Sequence, residues 1–149
     1  NIILGSRSVG IAIEHGATNR LLSNLVMGGK TGILLFIRDS NGPASRDYVV
    51  DGNTIGGVTR GLVLRRTAHV RVRGNTFDGV DEGLVVDSTG RDAQVTGNVF
   101  LRAQQYFIVA PELTAGSNYW ATATEAEAAA RVKGAVVLQP WFPASAAGY

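Results

Sequence analysis

Short apolar runs and polar bends alternate along the whole chain, and they recur at regular intervals. The clearest unit covers residues 61–77 and contains a glycine, an apolar run, a polar bend, a second alternating run and then Gly-Asn before a large apolar residue. In four repeats an asparagine lies eight residues before the residue that opens the next repeat. These pairs are Asn24 with Gly32, Asn53 with Gly61, Asn75 with Gly83, and Asn98 with Tyr106. Four matches at one offset indicate a repeat protein.

Within each repeat the apolar residues alternate with a period of two, which indicates β-strands. The first and third residues after the opening residue are apolar, and so are the third residue before each asparagine and the second residue after it. A single coil cannot bury its own apolar edge, so coils of this kind must stack on one another. The pattern therefore predicts an all-β fold, a parallel β-solenoid of about five coils.

The asparagines have a physical reason of their own. Asparagine tolerates the left-handed backbone region, and stacked amides can bond one another at the strand spacing of about 4.8 Å. The residue before each asparagine is Gly or Ser, as expected at a tight corner. We predict a structural ladder of Asn24, Asn53, Asn75, Asn98 and Asn118.

A leucine-rich repeat is the main alternative, because residues 70–75 satisfy part of its consensus. That fold needs a helical segment after the asparagine. Residues 83–86 are instead glycine-led and β-branched, which favours a second strand.

Two stretches depart from the repeat. The interval between Gly32 and Gly61 is 29 residues instead of 22, and the turn-forming and charged residues 38–46 predict a loop inserted there. At the C-terminal end, residues 122–132 predict a helix that Gly134 ends, followed by a short strand over residues 135–139. We expect residues 1–120 to form the coils and residues 121–149 to cap the last one, since an open solenoid end exposes strand edges.

Composition narrows the classes of function. The chain of 149 residues has no cysteine and a net charge of +2, with no basic run longer than two residues, so it gives little support to nucleic-acid binding. No apolar stretch approaches the roughly 18 residues of a membrane span. Because Asn1 begins within repeat-like sequence, we expect further coils to precede it.

The Gly-[Ile/Leu]-x-[Leu/Val] openings, the Gly-Asn corners and the closing Asn118-Tyr119-Trp120 resemble right-handed parallel β-helix proteins of the pectate-lyase-like superfamily. Gly134 and Pro140-Trp141 extend this resemblance beyond the last coil. The superfamily holds pectate lyases, polygalacturonases, alginate lyases and epimerases, and the periplasmic maturation factor of nitrous-oxide reductase. The chain most resembles the generic bacterial right-handed β-helix proteins, many of them exported, which implies a periplasmic or extracellular location and a polysaccharide partner.

In that superfamily, polysaccharide sites lie in grooves parallel to the solenoid axis, with one side chain from each coil. The charged residues around the opening glycines supply such a set, which we expect to gather on adjacent coils. The candidate carbohydrate-binding residues are Lys30, Arg60, Arg65, Asp81, Glu82 and Asp87. The alternative interpretation is a solvated face whose charges form weak pairs between coils.

Whether the chain is an enzyme stays open at this point. Asp81, Glu82 and Asp87 are the candidate catalytic residues for a polysaccharide lyase, an epimerase or a glycoside hydrolase. The motif set of polygalacturonases and the Asp-Pro-His of alginate epimerases are absent. We expect no cofactor, although lyases of this type often use calcium.

His15 and His69 have no third ligand nearby in the sequence pattern, so no metal site is expected. Four aromatic residues near the C-terminal end could stack on sugar rings or pack in the core and the cap, namely Tyr119, Trp120, Trp141 and Phe142.

The second residue after each opening residue is also apolar, although it should point outward: Ala12, Leu34, Val63, Val85 and Ile108. A continuous apolar stripe on the outside usually marks a contact surface. We expect Leu34, Val63, Val85 and Ile108 to meet the C-terminal helix, a protein partner or a second copy of the chain.

These observations leave three alternative functions for the chain. The first is the polysaccharide-recognising portion of an exported protein, the second a structural or assembly module that binds a protein through the stripe, and the third a small lyase or hydrolase.

Overall fold

The computed structural model describes residues 1–39 and 41–149, and it forms a right-handed parallel β-helix of about six turns, close to the five expected. The strands are β1 (Ile2–Leu4), β2 (Val9–Glu14), β3 (Arg20–Leu22), β4 (Leu25–Phe36), β5 (Ser45–Arg46), β6 (Val49–Asp51), β7 (Thr54–Arg65), β8 (Thr67–Ala68), β9 (Arg71–Arg73), β10 (Thr76–Val86), β11 (Gln94–Thr96), β12 (Val99–Thr114), β13 (Asn118–Trp120), β14 (Val132–Val137) and β15 (Trp141–Pro143). Helix α1 (Glu125–Ala129) and a 3-10 helix (Ala144–Ala147) complete the fold.

Each turn passes through three faces. The asparagine face consists of β1, the first parts of β4, β7, β10 and β12, and then β13 and β15. The glycine face consists of β2, the second parts of the same four long strands, and β14. The arginine face consists of β3, β6, β9 and β11, and the short pair β5–β8 lies at the corner before it. Because a strand follows each asparagine, the leucine-rich-repeat alternative is wrong.

The parallel register places like residues of successive turns on top of one another. Val26 pairs with Ile55, Ile55 with Phe77, and Phe77 with Phe100. These inward residues and Trp120 are essentially without solvent exposure. The rings of Phe77, Phe100 and Trp120 stack, with centroids 4.9 and 4.7 Å apart. The core is therefore a set of rows that run along the solenoid axis.

The predicted asparagine ladder is confirmed. The side-chain amide of each asparagine donates to the Oδ1 atom of the next, at 2.8 Å from Asn24 to Asn53 and 2.9 Å for the following steps to Asn75, Asn98 and Asn118. The expected left-handed conformation of the asparagines is wrong, since the residue before each asparagine adopts it instead. These residues are Ser23, Gly52, Gly74, Gly97 and Ser117, with φ between 51° and 67°.

The expected outward position of Ile108 is wrong. The register shifts between Phe77 and Glu82, so that Leu84 pairs with Ile108 and Val85 with Val109. Ile108 therefore points into the core with 0% exposure, and Val109 takes the outward position. The extra residue is absorbed between Phe100 and Tyr106 as a strand irregularity, which the repeat spacing alone does not locate.

The C-terminal segment contains a shorter helix than expected and adds β14 and β15 to the sheet. Thr124 caps α1 by accepting a hydrogen bond from the backbone N–H of Glu127, and Ala128 joins the core. Gly134 does not end an element but lies inside β14, with φ 105°. The inserted loop after β4 includes Ser40, which lies outside the described residues.

Candidate binding groove

The outward side chains of the arginine face form three rows parallel to the solenoid axis. In the register of β3, β6, β9 and β11, the middle row is Arg20, Val49, Arg71 and Gln94, and the row on the ladder side is Leu22, Asp51, Arg73 and Thr96. The third row lies at the corner that precedes these strands and consists of Thr18, Asp47, His69 and Asp92. Like positions of four turns thus lie side by side, about 4.8 Å apart.

The left-handed backbone conformation of the corner-row residues sets the position of this row. Its members adopt left-handed φ angles of 53° to 59°, a conformation that is uncommon for residues other than glycine. The backbone N–H of Thr18, Asp47 and His69 donates to a carbonyl of the following turn, which fixes the same bend in each turn. The bend turns the chain sharply into the arginine face and leaves a depression beside the corner row.

Two adjoining clefts occupy this depression. One has a volume of 340 Å³ and is lined by Asp47, His69, Arg71, Asp92 and Gln94, together with backbone neighbours. The other has a volume of 320 Å³ and extends along Thr18, Arg20 and Arg73. The clefts share Asp47, Val49 and Arg71, so they form one groove across four turns, parallel to the axis.

The charges of the groove are only partly paired. Arg73 Nε donates to Asp51 Oδ2 at 2.8 Å, and His69 Nδ1 lies 3.7 Å from Asp92 Oδ2. Asp47 faces Arg46, outside the groove, at 3.7 Å. Arg20 and Arg71 take part in no ion pair among the described residues. Two cations of one row are therefore available to a ligand.

The predicted binding residues lie elsewhere, on and beside the glycine face. Arg60 and Glu82 are register partners, and Arg65 Nε lies 3.7 Å from Asp87 Oδ2, so these two pairs occupy adjacent turns as expected. Exposed Lys30 precedes Thr31, the register partner of Arg60, and Asp81 precedes Glu82. The six residues therefore gather on one side of the molecule, where no described cleft is lined by them.

The candidate catalytic carboxylates do not form a pair. Glu82 lies near the start of the glycine-face segment of β10, and Asp87 follows its end. Five extended residues span about 16 Å, whereas an inverting glycoside hydrolase needs carboxyl groups about 6.5–9.5 Å apart.

Sequence reasoning missed the groove, although a signal was present. Counted back from each asparagine, the sixth position gives Thr18, Asp47, His69 and Asp92, and the fourth gives Arg20, Val49, Arg71 and Gln94. The charged residues around the opening glycines lie on and beside the glycine face, whereas both rows of the groove repeat at fixed offsets from the asparagines.

A further charged pair lies on the asparagine face. Arg102 donates two hydrogen bonds to the carboxylate of Asp78, at 2.6 and 2.7 Å. These bonds hold the pKa of Asp78 below its usual value.

Comparison with known proteins gives one family. The sequence model described as periplasmic copper-binding protein (NosD) matches residues 1–134. No curated protein and no solved structure matches the chain.

The residues present do not fit a copper centre. Copper favours thiolate, thioether and imidazole donors, but the sequence has no cysteine, one methionine and two histidines. Met27 lies on the asparagine face, His15 follows the glycine face, and His69 belongs to the corner row two turns further on. Among the described residues no three His, Cys, Asp or Glu side chains could hold a metal ion together.

The family match agrees with the fold and with the location that the resemblance implied. No helix in the described part of the chain has the length and apolar character needed to cross a bilayer. Membership of a periplasmic family makes the chain periplasmic or extracellular. With 134 of its 149 residues matched and with the solenoid on which they lie, the chain belongs to the family of the periplasmic copper-binding protein NosD.

Proposed function

We propose that this chain is the polysaccharide-binding part of a periplasmic or extracellular β-helix protein, and that an acidic glycan lies along the arginine face. The observation that carries the proposal is the groove across four turns, in which Arg20 and Arg71 are unpaired among the described residues. A groove parallel to the axis suits an extended polymer, because each turn offers the same positions to successive units of the ligand.

The side chains of the groove favour an acidic ligand over a neutral one. A guanidinium group binds a carboxylate or a sulfate through two parallel hydrogen bonds. Neutral sugars rely more on stacking against aromatic rings. The aromatic residue that borders the groove, Tyr48, has 0% exposure and offers no ring face to a ligand. The carboxylates of Asp47 and Asp92 can accept hydrogen bonds from sugar hydroxyl groups, and the amide of Gln94 can both accept and donate them.

A test uses an array of acidic and neutral polysaccharides and follows binding by calorimetry. We expect saturable binding of an acidic polymer and at least a tenfold loss of affinity in the Arg20→Ala/Arg71→Ala double variant, since each charge-assisted hydrogen bond contributes about 1.5 kcal/mol or more. Raising the salt concentration should weaken binding as well.

Arg65→Ala serves as the matched comparison, because Arg65 is exposed and lies on the glycine face. Loss of binding in Arg65→Ala with full binding in the double variant would move the site to the residues first predicted from the sequence. The absence of binding to any acidic polymer would refute the proposal. Release of oligosaccharide products during the assay would favour the enzyme alternative.

A further inference from the structure

We propose that the glycine face is a self-complementary surface on which a second copy of this chain docks, with the two solenoids antiparallel. This proposal does not rest on the polysaccharide site, which lies on the arginine face. The assembly function that the apolar stripe predicts then has one partner, a second copy of the chain, and one orientation, antiparallel.

The glycine face has a middle row that is apolar over five turns, with a row that carries charges on either side. In the register of β2, β4, β7, β10 and β12, the middle row is Ala12, Leu34, Val63, Val85 and Val109, and β14 adds the exposed Lys133 in the sixth turn. One flanking row contains Thr31, Arg60, Glu82 and Tyr106, and the other contains Glu14, Phe36, Arg65 and Asp87. Specific interfaces have this organisation, with an apolar centre and a charged rim.

The charges change sign from the third turn to the fourth in both flanking rows. Arg60 precedes Glu82 in one row, and Arg65 precedes Asp87 in the other. A two-fold axis parallel to the strands, between these two turns, places the third turn of one copy against the fourth turn of the other. Arg60 then faces Glu82 of the second copy, Arg65 faces its Asp87, and Val63 faces its Val85. Both of these charged contacts join opposite signs and occur twice, as an isologous interface requires.

The other two-fold arrangement is excluded by the same charges. An axis parallel to the solenoid would place the two flanking rows against each other at the same turn. Arg60 would face Arg65 of the second copy, and Glu82 would face its Asp87. Like charges directly opposite each other in an interface are strongly unfavourable. The charge pattern therefore selects the antiparallel arrangement.

Arg60 and Glu82 are free to make these contacts. Although they are register partners, they form no ion pair within one copy among the described residues. Arg65 and Asp87 already face each other at 3.7 Å, so the second copy would extend that pair into a four-membered network. Val63 is only 3% exposed between its neighbours, so Leu34, Val85 and Val109 supply the apolar contact.

The size of the face predicts weak but specific association. Five turns at about 4.8 Å and six residues at about 3.3 Å give a face of roughly 24 by 20 Å. Two such faces bury about 960 Å², which is below the range of about 1,200–2,000 Å² for stable specific interfaces and matches weak, transient complexes. We therefore expect a weak dimer whose population depends on concentration.

The test measures the mass in solution by sedimentation velocity between low and high micromolar concentration. The wild-type chain should shift from its monomer mass of 15.7 kDa toward twice that value. Arg60→Glu opposes two carboxylates, and Glu82→Arg opposes two guanidinium groups, so each variant alone should dimerise at least tenfold more weakly. An equimolar mixture of the two variants should dimerise again, because opposite charges then meet at both contacts.

Arg91→Glu is the matched control, since it reverses one exposed charge outside the glycine face and should leave dimerisation unchanged. Thermal melting of every variant shows whether its coils stay folded. A wild-type chain that stays monomeric throughout would overturn the proposal. So would charge reversals that leave the dimer intact, or a mixture that fails to restore it.

Discussion

Each asparagine of the ladder satisfies its hydrogen-bonding groups with partners that lie far away in the sequence. Asn75 accepts from the backbone N–H and the side-chain amide of Asn53, both at 2.9 Å, and donates to Asn98 and to the carbonyl of Val50. Its side chain has no exposure to solvent. A buried amide of this kind is favourable only while all its partners are in place.

We therefore expect Asn75→Ala to lower the free energy of unfolding by about 2–5 kcal/mol, because it leaves two donors of Asn53 buried without an acceptor. Chemical denaturation followed by circular dichroism measures the change. Asn41→Ala, in the exposed loop, is the control and should stay within about 0.5 kcal/mol of the wild type. Equal losses in the two variants would contradict the structural role of the ladder.

Glycine is needed at the opening positions it occupies because a side chain has no space there, not because the backbone needs a left-handed φ. Gly61 has no left-handed φ, but a Cβ atom there would lie 2.8 Å from Cδ1 of Phe77 and would also meet the backbone of the next turn. Glycine therefore leaves room for the aromatic row behind it. Phe107, in the fifth turn, is the backbone neighbour of Gly83. Its ring is tilted and packs against Phe100 and Trp120.

At the scale of the elements, the strands of the asparagine face are tied together by the aromatic row. Phe100 lies between Phe77 and Trp120, with nearly parallel rings on both sides. It is fully buried, whereas Phe142 at the end of the same face is 37% exposed. The row thus joins the central turns to the capped end.

Phe100→Ala should lower the free energy of unfolding by about 3–5 kcal/mol, through lost burial and the cavity left between two rings. Phe142→Ala removes the same side chain from a half-solvated position and should cost about 1 kcal/mol or less. Urea denaturation of the two variants provides the comparison. A similar cost for both would mean that the stack does not carry the stability of the last turns.

At the scale of the whole molecule, the three outer faces have different chemistry. The arginine face has a polar groove, and the glycine face has an apolar row between charged rows. The asparagine face contacts the last residue of the sequence, because the hydroxyl of Tyr149 lies 3.2 Å from that of Thr76. One repeat thus builds separate surfaces, because each offset from the asparagine repeats along one side only.

The same separation keeps the copper-binding side chains apart. We expect neither Cu(I) nor Cu(II) to raise the melting temperature of this chain, because Met27, His15 and His69 cannot reach one ion together. Thermal shift assays with each ion, and with zinc for comparison, check this. A saturable increase that His69→Ala abolishes would show that a copper site exists after all.

The sequence alone determined the solenoid, its ladder and its inward rows in the first four turns, since these turns repeat the same offsets and any other register would expose apolar residues. The helix near the C-terminal end was predicted only in part, since the expected residues 122–132 reduce to Glu125–Ala129.

Only the tertiary structure decided which outward row borders a groove and which outward residues turn inward. Concavity depends on the corner at Asp47 and His69 and on side chains from four turns, and none of these contacts is local in sequence. The inward position of Ile108 depends on where the fifth turn absorbs one extra residue. Packing against the neighbouring turn sets that position, so spacing within the chain cannot reveal it.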